Sequence, residues 1–123
     1  MVPQEETADE KEERRIRLLM ELNSKEEAIH TIDKQVLELT LQIHKEEVHK
    51  KKLLEYNESL KSNETFTEKD KAKCMEQNRR MSYGVHLTIR KLYCLIEVKK
   101  ADKAWWEWSL GQTKQEYIDL VSA

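Results

Sequence analysis

The chain has almost nothing with which to break a helix. Its 123 residues include two glycines and one proline. A sheet with tight hairpins, or a glycine-rich loop that cradles phosphate, needs more of both than this. Cysteine is nearly as scarce. Cys74 and Cys94, twenty positions apart, make neither a disulfide framework nor a zinc pattern, and read as two reduced thiols with Cys94 packed in an apolar helix face. No apolar run approaches the roughly 20 residues that span a bilayer. The first residues, Met1-Val2-Pro3-Gln4-Glu5-Glu6, lack the basic start and apolar run of a signal peptide. A surplus of one charge is also missing. With 22 basic and 24 acidic residues the net charge is -2, which offers no bulk attraction to nucleic acid or to an anionic membrane.

What is present is charge and leucine-type residues at helical spacing. Charged residues make up 37% and hydrophobic residues 38%, a balance that suits helices burying one stripe each. Ile29, Ile32, Val36, Leu39 and Ile43 follow one another at intervals of three and four, a mean repeat of 3.5 residues and the signature of a coiled-coil seam. With Ile29 at heptad position a, Leu22, Val36, Ile43, Lys50 and Asn57 are also a, and Leu18, Lys25, Ile32, Leu39, Glu46, Leu53 and Leu60 are d. Glu46 and Lys50 interrupt the apolar seam. Asn57 at a is a residue type that fixes register at some cost in stability, and it serves equally as a mark of the place where the coil ends.

This pattern predicts an all-α protein of long coiled-coil helices, an antiparallel helical hairpin with a short C-terminal helix. Residues 1–11 are expected to be a disordered acidic N-terminus, with acidic side chains near Asp9 and Glu10 suited to a helix start. A coiled-coil helix covers 12–61, running through the capping-box-like Ser24-Lys25-Glu26-Glu27. A turn occupies 62–67, where Ser62, Asn63 and Thr65 gather, and Thr67 followed by Asp70 reads as a cap. A second long helix covers 68–110, with a stripe of Cys74, Met75, Met81, Val85, Ile89, Leu92, Leu95 and Ile96. Gly111 would end it as a C-cap, and Thr113-Lys114-Gln115-Glu116 would start a short helix over 113–121. The competing arrangement is a continuous helix paired in parallel with a second copy.

Candidate chemistry is thin. Glu27/His30 and Glu46/His49 match the Glu-x-x-His spacing of di-metal bundles, but Glu27 and His30 fall at outward positions f and b, so no metal and no cofactor is expected. His44 to Lys52 is locally basic, and its interleaved glutamates make it a poor nucleic-acid footprint. Ile32, Val36, Leu39 and Leu41 have nuclear-export spacing, as leucine-rich coils often do. Asn57 and Asn63 sit in glycosylation patterns that have no secretion signal to serve. No nucleophile, acid/base pair or catalytic set can be placed, so the chain reads as a non-enzyme.

The remaining feature is Trp105, Trp106 and Trp108, with Tyr117 nearby. Trp105 and Trp108 share a helix face and Trp106 points elsewhere. Three readings are open: a partner hot spot, a membrane-surface anchor beside Lys99, Lys100 and Lys103, or a hydrophobic cap where a last helix folds back. Lys91-Leu92-Tyr93 with Leu95, then Trp105, Trp108, Leu110-Gly111, Thr113-Lys114 and Tyr117-Ile118, resemble stretches of the acyl-CoA-binding domain family over about thirty residues. That resemblance implies a small helical module for acyl chains. It departs from the family where Ile96-Glu97-Val98 replaces the ligand-contacting Tyr-Lys-Gln, and where the loop between the matched pieces is missing.

The expectation is a coiled-coil assembly subunit or adaptor that mediates protein–protein association, through a protein partner or a homo-oligomer, with no nucleic acid and no membrane. Composition is of the kind seen in cytoskeletal, centrosomal, ciliary or kinetochore assemblies, and a cytoplasmic, cytoskeleton-associated location follows from that reading. The partner-binding candidates are Leu22, Ile29, Ile32, Val36, Leu39, Ile43, Leu53 and Leu60 on the seam, with Trp105, Trp106 and Trp108 as a second contact. The alternative is an acyl-chain-binding module built on the Trp-rich C-terminal third.

Overall fold

A computed structural model describes residues 6–123 as two helices, α1 (Ala8–Lys61) and α2 (Glu68–Ser122), paired as an antiparallel hairpin. No strand occurs among the described residues. Residues 1–5 of the expected disordered N-terminus lie outside the described ones. From Ala8 onward that segment is helical, because Thr7 caps it: its Oγ1 accepts the Glu10 amide at 3.1 Å and its carbonyl accepts the Lys11 amide at 3.0 Å. Thr7 and Glu10 stand at capping-box spacing, a start signal earlier than the sequence reading placed it.

The turn falls where Ser62, Asn63 and Thr65 gather. Asn63 accepts the Thr65 amide on its side-chain oxygen at 2.7 Å, and its own amide donates to the Leu60 carbonyl at 3.2 Å. This Asx turn reverses the chain without a glycine or proline. Thr67 caps α2 as expected, accepting the Asp70 amide at 3.2 Å and the Lys71 amide at 2.9 Å.

The end of the chain differs from expectation. α2 continues through Gly111 to Ser122, so no separate short helix exists. Gly111 does not adopt the positive φ of a C-cap. Thr113 does not cap either. It faces inward, and its hydroxyl donates to the Ser109 carbonyl one turn back at 3.2 Å, a bond that leaves the helix ladder intact.

The contacts divide the chain into two units, each built from both helices. In the unit of Val36–Val98, Ile43, Val85, Ile89, Leu92 and Ile96 form the buried cluster, and Val36, Leu39 and Leu53 pack against it. Each such side chain, removed from water, contributes about 1.5–3 kcal/mol before the entropy of ordering is set against it. Leu60 closes this unit next to the turn and is the most deeply buried residue. In the unit of residues 6–35 with Lys99–Ala123, Leu18, Ile32 and Leu120 are buried, together with Ser109 and Thr113.

Candidate functional site: the seam and the surfaces it leaves open

The heptad assigned to α1 accounts for its shielding from solvent. From Leu18 to Leu60 every a and d position is buried or half-buried, and only Ala28 and Gln35 are shielded elsewhere. α2 carries an equally regular seam. Met75, Asn78, Ser82, Val85, Ile89, Leu92, Ile96, Lys99, Lys103, Trp106, Leu110, Thr113, Tyr117 and Leu120 succeed one another at alternating steps of three and four, and all are shielded. A repeat of 3.5 residues over this length is a coiled coil in both helices.

The two seams cover each other within one chain. This changes the standing of the first eight partner-binding candidates. Leu22, Ile29, Val36, Leu39 and Leu53 are half-buried, and Ile32, Ile43 and Leu60 buried, within their own hairpin. The parallel two-copy arrangement is thereby replaced.

Polar residues in the seam are bonded across it. In the unit of Val36–Val98, Asn57 donates to the Met75 carbonyl at 3.2 Å and accepts from the Asn78 amide at 2.8 Å. Lys50, which interrupts the apolar run, lies 3.5 Å from His86 Nδ1. Asn57 is buried and hydrogen-bonded here, not displayed as a glycosylation site. In the other unit, Lys25 at d donates to Thr113 Oγ1 at 2.6 Å and to the Ser109 carbonyl at 3.5 Å. Lys103 pairs with Asp33 at 2.8 Å and with Glu107 at 3.7 Å. Asp33 in particular raises the Lys103 ammonium above its ordinary value. Arg15 is likewise held charged, chiefly by its hydrogen bonds to Glu12 at 2.6 and 2.9 Å, which pull the Glu12 carboxyl below its ordinary value. No buried side-chain nitrogen or oxygen among the described residues lacks a partner.

The exposed side chains differ from the stripe expected of α2. Met81 and Leu95 lie outside the seam and are exposed, as is Cys94, which was expected on the packed face. The tryptophans separate as their spacing requires. Trp106 enters the seam, while Trp105 and Trp108 are 55% and 63% exposed. Trp105 and Trp106 meet edge to face with ring centroids 5.0 Å apart. The fold-back cap does not form, because α2 is unbroken. Trp106 lines an open groove of about 530 Å³ with Ile16 and Met20, and with Glu13, Arg17, Glu21, Ser24 and Lys25.

Glu27 and His30 are exposed, and no group of three or more His, Cys, Asp or Glu among the described residues converges as a metal site would. Among the same residues no helix is long and apolar enough to cross a membrane. No family model matches the chain, and neither a curated protein nor a solved structure matches it.

Proposed function

We propose that the chain is a non-enzymatic coiled-coil assembly subunit or adaptor that mediates protein–protein association, in an assembly of the cytoskeletal, centrosomal, ciliary or kinetochore type. The observation that supports this most is the exposure of Trp105 and Trp108 on a hairpin whose own seam is already filled. Tryptophan dominates the energetics of protein interfaces, and two such rings left in water mark a surface that a partner covers. With the seam residues engaged internally, the outer surface of α2 is the contact, and the seam serves to hold it rigid. Cross-linking mass spectrometry on the native material tests this. Links from Lys99, Lys100 or Lys114 to another polypeptide, or to a second copy, are the expected result. Native material that sediments as a single chain of 14.7 kDa removes the reading.

A second reading is favoured by the groove beside Trp106. Its apolar lining by Ile16 and Met20 suits an acyl chain. Titration with fatty acyl compounds, followed by tryptophan fluorescence, separates the two. A saturable shift supports ligand binding, and a flat response leaves the assembly reading alone.

A further inference from the structure

The unit containing Lys99–Ala123 carries a second heptad stripe on the outer side of α2. Ala101, Ala104, Trp108, Gly111, Gln115 and Ile118 follow at steps of three and four, and all six are exposed. Residues 101–118 hold five charged residues, and none of them falls on this stripe. A solvated helix face is normally where the charges go. Gln115 is engaged within its own helix, donating to Asp119 at 2.8 Å.

Gly111 is the telling member. It lies within α2, where glycine costs about 1 kcal/mol relative to alanine. Its own chain gives no reason for it. The backbone has no positive φ, and a Cβ built there would meet nothing within 4 Å. Gly84 is placed alike, so the open space at Gly111 counts through the residues that flank it.

We infer that the occupant is a second copy of this stripe, packed antiparallel with the two helices crossing at Gly111. The sequence on either side of Gly111 is self-complementary in that arrangement. Ala104 lies seven residues before it and Ile118 seven after, so each isoleucine faces the partner's small alanine. Trp108, three before, lies across the gap at Gly111 and against the partner's Gln115, four after. Glu107, four before, stands opposite the partner's Lys114, three after, and the two-fold repeats this ion pair. Large faces small and acid faces base, both twice, which is the property of an isologous contact. Lys114 makes no ion pair within its own chain among the described residues, and Glu107 shares its carboxylate with Lys103 at 3.7 Å, so the second contact adds to that one. The contact is short, and it belongs with the small, readily reversible interfaces.

This inference rests on the association reading above and names the partner. Sedimentation equilibrium of the purified full chain tests it, with circular dichroism to monitor helicity. The expected mass is twice 14.7 kDa at high concentration. Gly111→Leu, a good helix former too bulky for the crossing, should halve that mass with helicity retained. Lys114→Glu should weaken the dimer at least tenfold, and adding Glu107→Lys should restore it. Wild-type chain that remains single up to about 1 mM, beyond the weakest specific affinities, overturns the inference. So does a Gly111→Leu dimer of undiminished mass. If Gly111→Leu fails to fold, the charge exchange decides alone, and failure of the double variant to recover counts against the contact. Native material that holds a different polypeptide while the purified chain stays single defeats this inference and leaves the proposed function standing.

Discussion

Asn57 and Asn78 join their side chains inside the seam, 2.8 Å apart, and Asn57 reaches on to the Met75 carbonyl. Two amides in an otherwise apolar layer fix which residues of α1 and α2 stand opposite. Asn57→Ala should therefore destabilise the hairpin by about 1–2 kcal/mol, since it leaves the half-buried Asn78 amide without its partner. Urea unfolding measures it. The double change Asn57→Leu with Asn78→Leu should be near neutral or stabilising, at the expense of a unique register.

Lys25 and Thr113 form the comparable link in the other unit. Thr113→Val keeps the shape but removes the acceptor, and should cost about 1–2 kcal/mol. Lys25→Met in the same background should recover most of that loss, because it removes the amine left without its partner. A double-mutant cycle on urea midpoints checks the coupling.

Val36→Asp tests the folding of the hairpin. Val36 packs against the Ile43, Val85, Ile89, Leu92 and Ile96 cluster of its own chain. A carboxylate there should cost about 2–3 kcal/mol and lower the helical melting temperature.

Gly84 sits in α2 with open space where a Cβ would go. Gly84→Ala should raise stability by up to about 1 kcal/mol, read from the thermal midpoint.

The pairing of Lys103 with Asp33 carries a pH signature. The folded state raises the ammonium above its ordinary 10.5, so its contribution is complete below that value. It is lost as pH rises through the higher folded value. Lys103→Met should remove this alkaline sensitivity and leave the profile below pH 10 or so unchanged in form. Glu12 works in the opposite direction. Its carboxyl is lowered by Arg15, so that contribution is lost only as the solution becomes acid.

The first helix was legible because its seam is written in isoleucine, leucine and valine. Ile29 to Ile43 set the register, and the same phase extends to Leu60 through the polar Glu46 and Lys50. The second seam was obscured by its own composition. Asn78, Ser82, Lys99, Lys103 and Thr113 occupy inward positions, whereas Met81, Leu95, Trp105 and Trp108 lie outside. A stripe drawn through the most hydrophobic residues misses it. The signal was periodicity: small and polar residues held the alternating three-four spacing through Ser82, Ser109 or Leu110, and Thr113. Gly111 and the Thr113 capping box misled for a related reason. Both are stop signals only when the chain gains by stopping, and here Lys25 and the Ser109 carbonyl give the Thr113 hydroxyl a better use. That the partner-facing seam would be consumed internally was not visible, since one heptad serves equally for contact within a chain or between chains.

The amide link between Asn57 and Asn78 has a consequence for how this gene can change length. Displacing α2 by seven residues in the Val36–Val98 unit would set Asn57 against Lys71 or Val85 and break its link to Asn78. A deletion of seven in one helix thus keeps that helix's own periodicity and still fails. Only matched edits, equal in size and placed on both limbs at the same remove from the turn, leave every cross-link in place, so the two halves of the coding sequence must lengthen or shorten together.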